Sequence, residues 1–193
     1  AYGRLSPEPE ARALMVDDIY PISSVTKPFT ATAIMMLTEE GLVEPGRPVT
    51  YYIPEMKGTG AEEINLIHLL THTSGYVEED VIAFLQEQLK TPLDLPPLPD
   101  NQHKSIHLAL HARYQCRPSR PPNELMSYCG YGYDLLAEIV RRVSGQALGQ
   151  FLQERLFTPM QMTDTSFYLE ERFNGRMVKR RPIKNPFGAD MND

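Results

Sequence analysis

The sequence predicts a mostly helical chain, and three observations support this expectation. Apolar residues recur at helical spacing over residues 24–40 and 131–143. Runs in which apolar and polar residues alternate, the usual signal of a sheet, are scarce. Prolines crowd residues 92–99 and 118–122, which are therefore extended or turning connections. Helices are expected to fill the intervals between these connections.

The same spacing predicts six helices. The two clearest are followed by Gly41 and Gly145, each placed where a C-terminal cap belongs, and Asn65 is placed as an N-terminal cap. Short strands are expected only at residues 19–22 and 166–169. In chain order, the predicted helices cover residues 24–40, 66–71, 80–89, 104–114, 131–143 and 148–156.

Composition limits the class of protein and the kind of partner. With 193 residues, 41% of them hydrophobic, the chain can bury the core of one domain or at most two. A net charge of −6 argues against a nucleic-acid partner, and no apolar run is long enough to span a membrane. A small molecule is therefore the expected partner. Cys116 and Cys129 are too few for a disulfide framework; a single bridge between them, the compartment and the oligomeric state all stay open.

Ser24 and Lys27 stand three residues apart at the start of the first predicted helix, so both side chains project from one face. A serine hydroxyl becomes a good nucleophile when a base removes its proton. A lysine does so only as the neutral amine, the form that desolvation and the positive end of a helix dipole favour. Ser-x-x-Lys alone has little specificity, but here it follows a strand signal and opens an apolar helix. Ser24 is therefore the candidate nucleophile and Lys27 the candidate base.

Residues 24–30, Ser-Val-Thr-Lys-Pro-Phe-Thr, closely resemble the nucleophile motif of the β-lactamase and penicillin-binding-protein superfamily, in particular its class C β-lactamase-like group. Residues 68–75, His-Leu-Leu-Thr-His-Thr-Ser-Gly, resemble the most recognisable structural signature of that group. Tyr128 occupies the place of its Tyr-x-Asn motif, directly before a predicted helix. The resemblance covers most of the chain, over residues 19–167.

This resemblance implies an α+β fold of the β-lactamase/transpeptidase type. The chain would hold chiefly the helical domain of that fold and little of its antiparallel sheet, as a partial chain. Residues 1–23 would be a remnant of the sheet domain, residues 24–170 the helical domain with the nucleophile helix and the tyrosine motif, and residues 171–193 a tail that leads toward a missing sheet region.

The resemblance also implies a serine hydrolase that forms an acyl-enzyme on Ser24. Lys27 would act as base together with Tyr128, whose phenolic oxygen would exchange the proton between nucleophile and leaving group. Neither a cofactor nor a metal ion is expected. Carboxylic esters are the favoured substrates, with β-lactams and D-amino-acid peptides as further classes. The alternative is a non-catalytic or ligand-binding relative that keeps the fold.

The chain departs from the group's pattern at several points. Gly130 replaces the asparagine of Tyr-x-Asn, so the amide expected to orient the lysine and to bind substrate is absent. Asn123 and Gln161 stand where the group usually has glycine, which predicts two less relaxed turns. The third motif, Lys-Thr-Gly or His/Lys-x-Gly, which carries one oxyanion donor, does not occur after Tyr128. We therefore expect the 193 residues alone to turn substrate over slowly.

Other chemistry-bearing residues have less specific patterns. His68 and His72 lack the glutamate of a His-Glu-x-x-His metalloprotease, and Cys129 has no evident histidine partner for a cysteine hydrolase. Three histidines recur every four residues and would line one helix face; a solvated face is favoured for them over a metal site, which would need further ligands. They are His103, His107 and His111.

Overall fold

The computed structural model of the chain describes residues 1–168 and 170–179. This described part contains seven α-helices, no β-strand and three isolated backbone bridges. Turns of 3₁₀ helix lie at Ser23–Val25, Pro54–Met56, Ala61–Glu63 and Glu171–Phe173, and a π-helical turn lies at Gln153–Phe157. The helices are α1 (Thr26–Glu39), α2 (Val49–Tyr52), α3 (Leu66–Leu70), α4 (Glu78–Gln88), α5 (Lys104–Arg113), α6 (Gly130–Ser144) and α7 (Leu148–Leu152). Within the described ranges, no helix combines the length and the apolar character needed to cross a membrane.

Most of the predicted helices are confirmed. Helices α3, α4, α5 and α6 begin and end within two residues of the predicted positions. Gly41 and Gly145 have φ angles of 71° and 74° and follow α1 and α6, as expected of C-terminal caps. Asn65 caps α3, and its backbone N–H donates to His68 Nδ1 at 3.1 Å.

The two strand predictions are wrong. Of residues 19–22, only Ile19 pairs with another segment, through a single bridge to Met177. Residues 166–168 are irregular, and Leu169 lies outside the described residues. A strand forms only where a partner supplies a continuous ladder of hydrogen bonds, which these segments lack within the described chain. The tail predicted for 171–193 is described only as far as residue 179.

Two helix ends also differ from the prediction. Ser24 lies in the 3₁₀ turn that precedes α1, not in the α-helix itself. The helix predicted over residues 148–156 ends at Leu152 and continues as the π-helical turn. A 3₁₀ turn at a helix start and a π-helical turn at a helix end leave the spacing of apolar residues almost unchanged. Periodicity alone therefore does not reveal them.

Helices α1, α6 and α7 form the centre of the hydrophobic core, where they contact one another. Their packing fixes the start of α1, with the Ser-x-x-Lys motif, relative to the start of α6, which follows Tyr128. The hydrophobic residues that they bury to 1% exposure or less are Ala33, Ile34, Leu37, Tyr131, Leu135, Leu136, Ile139, Val140, Phe151 and Leu152.

Glu138 is a buried carboxylate on α6, and polar partners surround it. It accepts hydrogen bonds from Arg141 and Arg142 at 2.8 and 2.7 Å, and from Gln102 Nε2 at 2.8 Å. Burial acts to raise the pKa of Glu138, but the hydrogen bonds from the two arginines outweigh it and hold the pKa below its usual value. Arg142 also binds the carboxylate of Glu55 at 2.8 Å. The network ties α6 to segments that precede α3 and α5.

Asn123 and Gln161 confirm the two strained turns predicted from the missing glycines. Their φ angles are 67° and 56°, in the left-handed region that favours glycine. Asn123 uses its side chain there, since Nδ2 lies 2.9 Å from His68 Nε2. Gln161 is exposed and shows no such side-chain contact among the described hydrogen bonds. Its strain therefore has no evident compensation.

Gln161→Gly should stabilise the fold by about 0.5–1 kcal/mol, because relief of the left-handed strain exceeds the extra chain entropy that glycine loses on folding. In a thermal melt this corresponds to an increase in Tm of about 2 °C for a chain of this size. Gln150→Gly, at an exposed position inside α7, is the control and should destabilise by about 1 kcal/mol. A lower Tm for Gln161→Gly would contradict the assignment of strain.

Candidate active site

Ser24 is exposed in the 3₁₀ turn Ser23–Val25, directly before α1. The preceding residue, Ser23, has a φ angle of 47°, which non-glycine residues rarely adopt. Strain of this kind persists where the surrounding structure enforces it, and it is frequent at functional sites. Lys27 follows one turn later on α1 and is half-buried. The local chain thus presents a hydroxyl and an amine on one face.

Three predicted site residues meet at one oxygen atom. Lys27 Nζ donates to Ser24 Oγ at 3.1 Å, and the Tyr128 hydroxyl donates to the same oxygen at 2.7 Å. Lys27 Nζ also lies 4.7 Å from the centroid of the Tyr128 ring and 5.6 Å from that of Tyr133. These distances place two groups that can exchange a proton within direct reach of Ser24.

His72 holds Tyr128 in place from a distant part of the chain. Its carbonyl accepts from Ser127 N at 2.8 Å, and its Nδ1 accepts from Cys129 N at 3.2 Å. The ring of His72 also packs against the Tyr128 ring, with centroids 4.5 Å apart. The backbone on both sides of the tyrosine is therefore fixed by a single residue of the 68–75 signature.

Gly75 allows this signature to approach the segment that leads to Tyr128. It has a φ angle of 85°, and a Cβ atom at this position would lie 2.0 Å from the carbonyl oxygen of Arg120. Further backbone bonds, from Ser119 N to Gly75 O at 3.0 Å and from Asn123 N to Thr73 O at 2.8 Å, join the two segments. Only glycine fits so close to a backbone oxygen. The signature acts here as a scaffold.

The electrostatics of the site favour a reactive phenol. Hydrogen bonds with Lys27 and Ser24 lower the pKa of Tyr128, and the charge of Lys27 acts in the same direction. Burial and the negative charge of Glu78 oppose this shift but do not reverse it. Burial, with the charge of Lys27, lowers the pKa of His72. His72 is therefore suited to a neutral ring whose Nδ1 accepts the amide of Cys129.

Ser24 and Lys27 open onto a cavity of about 570 Å³ between α1, α5, α6 and α7. This volume is within the range of small-molecule sites, which hold a few polar groups in a largely apolar wall. The wall includes Ile106 and Leu110 of α5 and Leu148 of α7. The candidate nucleophile thus faces a space that a small organic molecule can enter.

The other histidines flagged in the sequence have structural contacts, and His107 is buried, so the solvated histidine face predicted for α5 is wrong at that position. His68 accepts the Asn65 amide and faces Asn123, as described above. His103 Nδ1 caps α5 through Ser105. His107 Nδ1 lies 2.9 Å from Gln102 Oε1 and its Nε2 lies 3.0 Å from the Pro96 carbonyl oxygen. In the chain as described, no group of three or more potential metal ligands is found.

Cys116 and Cys129 are both buried and free, which settles the question of a bridge between them. Burial raises the pKa of Cys116 to about 11. Burial and a hydrogen bond with Glu78 raise the pKa of Cys129 to about 12. Neither thiol has the lowered pKa that a reactive thiolate requires.

Sequence reasoning missed two residues near this site. Tyr133 lies beside Lys27, and its hydroxyl donates to the Leu70 carbonyl at 3.0 Å. Glu78 accepts a hydrogen bond from Gly130 N at 2.6 Å. Tyr133 could have been noticed from its position one helical turn after Gly130. No sequence signal marks Glu78, because its contact is with a backbone amide 52 residues away.

Comparison with known proteins places this geometry in context. Residues 3–185 match the family model described as Beta-lactamase. Penicillin-binding protein 4* of Bacillus subtilis is 28% identical over 162 residues, which are 82% of this chain and 33% of that protein. The D-alanyl-D-alanine-carboxypeptidase/endopeptidase AmpH of Escherichia coli is 25% identical over 173 residues, 86% of this chain and 41% of that protein. The chain thus spans about a third to two-fifths of these curated relatives.

Solved structures show the same fold. A class C beta-lactamase superposes with a TM-score of 0.71 at 16% identity, over 98% of this chain and 46% of that one. A beta-lactamase/D-alanine carboxypeptidase from Yersinia pestis superposes with a TM-score of 0.69 at 23% identity, over 92% of this chain and 48% of that one. These likenesses confirm the predicted α+β, β-lactamase/transpeptidase-like fold class, with the described part of the chain covering chiefly its helices.

Lys27→Met should raise the pKa of Tyr128, because it removes the hydrogen bond and the positive charge that favour the phenolate. Tyrosine labelled with ¹³C at the ring carbon that bears oxygen reports this titration by NMR, and Tyr128→Phe assigns the signal. Lys57→Met, on an exposed residue outside the site, is the control and should leave the titration unchanged. An unchanged pKa in Lys27→Met would contradict the coupling.

Proposed function

Because the chain belongs to the beta-lactamase family of serine hydrolases, we propose that it forms an acyl-enzyme on Ser24 and acts on small carboxylic esters. The observation that supports this proposal most is the meeting of Lys27 Nζ and the Tyr128 hydroxyl at Ser24 Oγ, at 3.1 and 2.7 Å. A nucleophile within hydrogen-bond reach of groups that accept a proton is the arrangement that covalent catalysis requires.

The reaction has two halves. In the first, Ser24 Oγ bonds to the carbonyl carbon of the substrate and gives its proton to the Lys27–Tyr128 pair, while the bond to the leaving group breaks. The pair returns the proton to the departing alkoxide, so an alcohol leaves and an acyl-enzyme remains. In the second, water attacks the same carbonyl carbon, and the carboxylic acid leaves as Ser24 regains its proton. No cofactor takes part in these steps.

We treat the base as a pair, because Lys27 Nζ and the Tyr128 hydroxyl both contact Ser24 Oγ and one proton can pass between them. A neutral amine beside a phenol, the state predicted from the sequence, carries the same number of protons as an ammonium beside a phenolate. Hydrogen bonds with Lys27 and Ser24 and the charge of Lys27 lower the pKa of Tyr128, which makes the second arrangement easier to reach. In that state the 2.7 Å contact reverses direction, and Ser24 donates to the phenolate oxygen.

Esters are favoured over amides because of Gly130. The asparagine expected there would supply a side-chain amide to hydrogen-bond a substrate amide, and glycine cannot do so. An ester has a better leaving group and needs less help from such a contact. The names of the relatives point to penicillins and D-alanyl peptides, which share the acyl-enzyme chemistry and form the second substrate class of this proposal.

The alternative is a non-catalytic relative that binds a ligand in the same cavity. Gly130 is the observation that favours this candidate, because it removes a polar group from the site. Covalent labelling separates the two candidates, since a binding protein without a reactive serine is not acylated. In the acylation reaction, the oxyanion is expected to bind the backbone amide of Ser24; the third motif, which supplies the second donor in the family, does not occur after Tyr128 in this chain.

A fluorophosphonate probe should label the folded chain at Ser24, because the probe needs an activated hydroxyl and no turnover. Peptide mass spectrometry after digestion checks the site, and an intact-mass time course gives the rate. Ser24→Ala should abolish labelling, whereas the neighbouring Ser23→Ala should retain it. Labelling that survives Ser24→Ala would sink the assignment of the nucleophile.

Lys27→Arg and Lys27→Met together test how the pair works. Arginine keeps the positive charge but does not lose its proton in proteins. If the phenolate of Tyr128 accepts the proton, Lys27→Arg should acylate within about tenfold of the wild-type rate, and Lys27→Met should lose about a hundredfold or more. If both variants lose acylation completely and to the same extent, the base is the amine of Lys27 itself.

A further inference from the structure

Glu78 and Gly130 face each other at the edge of the site. Glu78 is the first residue of α4, Gly130 is the first residue of α6, and Glu78 Oε2 accepts from Gly130 N at 2.6 Å. We propose that Glu78 is a positioning residue for Tyr128, and that its carboxylate replaces from α4 the side chain that position 130 lacks. This inference rests on the proposed function, since it concerns the group that takes the proton of Ser24.

The backbone does not require glycine at position 130. Its φ angle is not in the left-handed region, unlike those of Gly75 and Gly145. A Cβ atom there would lie 3.4 and 3.6 Å from the two carboxylate oxygens of Glu78, and its three nearest neighbours would all be atoms of that side chain. A side chain at position 130 would therefore begin in van der Waals contact with the Glu78 carboxylate. We therefore treat Gly130 and Glu78 as a pair, in which the Glu78 carboxylate takes the place of the side chain that position 130 lacks.

The two amides that follow Tyr128 are held by side chains from one short segment. His72 Nδ1 accepts Cys129 N at 3.2 Å, and Glu78 accepts Gly130 N. At the start of a helix such amides have no partner within the helix, so side chains that bind them fix where the helix begins. The entry of the chain into α6, and with it the hydroxyl of Tyr128, is thereby held 2.7 Å from Ser24 Oγ.

The charge of Glu78 adds an effect that a purely structural contact would lack. The groups that act on the Tyr128 hydroxyl are Lys27 and Ser24 from the α1 side, Glu78 from α4, with the rings of His72 and Tyr133 beside them. Lys27 lowers the pKa of Tyr128, and Glu78 raises it. Removing the charge while keeping the shape should therefore lower the pKa of Tyr128 and extend the activity to lower pH.

The experiment is the rate at which a fluorophosphonate phosphonylates Ser24, with loss of fluoride, as a function of pH. It is measured in Glu78→Gln, Glu78→Ala, Gly130→Asn and the double variant Glu78→Ala/Gly130→Asn. Glu78→Gln can still accept the Gly130 amide, so it should keep the plateau rate within about threefold while its acidic limb moves to lower pH. Glu78→Ala should lower the plateau by about tenfold to a hundredfold, because the tyrosine is less well placed. Glu79→Gln, exposed on the same turn of α4, should change neither.

The double variant tests the exchange directly. If the carboxylate stands in for the missing side chain, Gly130→Asn should impair the wild type, where it crowds Glu78, and should restore part of the rate in Glu78→Ala. Thermal melts of each variant separate loss of fold from loss of placement. Should Glu78→Ala fail to fold, the acidic limb of Glu78→Gln decides alone.

The outcomes of the two proposals are distinguishable. A wild-type chain that is not labelled at Ser24 overturns the proposed function. A wild type that is labelled, with Glu78→Gln showing the same acidic limb as the wild type, overturns the role of Glu78 and leaves the nucleophile in place. If the rate losses of Glu78→Ala and Gly130→Asn simply add in the double variant, the Glu78 carboxylate does not replace the side chain missing at position 130.

Discussion

The packing of α1 against α6 is the interaction on which the candidate site depends. Each helix begins beside one half of the chemistry: α1 follows Ser24 and carries Lys27, and α6 follows Tyr128. Their apolar faces pack closely, with residues such as Ile34 and Leu135 fully buried, and so fix the distance between the start of α1 and the start of α6. Close-packed interiors transmit small displacements rather than absorb them. A contact of 2.7 Å between residues 104 positions apart is therefore a product of the core.

The sequence predicted the helices well and the strands poorly, for a physical reason. A helix is stabilised within its own segment, so the spacing of residues 131–143 and the cap at Gly145 were sufficient to find α6. A strand needs a partner elsewhere in the chain, and residue 19 finds only the single bridge to Met177. Local signals cannot report whether such a partner is present.

The same distinction applies to the site. Ser24 and Lys27 could be predicted because their separation is one helical turn. Tyr128 needed the family resemblance, since nothing in its own neighbourhood connects it to Ser24. Glu78 could not be assigned from either source, because it acts through a backbone amide, which every residue carries. The resemblance placed His72 only within a structural signature and did not reveal its contact with the amide of Cys129. Contacts of this kind become visible only when the chain is folded.

Gly130 separates two tasks that one asparagine would perform. Orientation of Lys27 does not need it, because Nζ already has Ser24 Oγ as acceptor and lies 4.7 and 5.6 Å from the ring centroids of Tyr128 and Tyr133, whose faces attract a cation. Recognition of a substrate amide, by contrast, loses the side-chain amide that an asparagine at position 130 would supply. The absence of asparagine at position 130 therefore affects substrate choice more than the reactivity of Ser24. This is why a site that lacks one of its expected polar groups still supports the proposal of a hydrolase, and why we propose esters, which present no amide N–H, as its substrates.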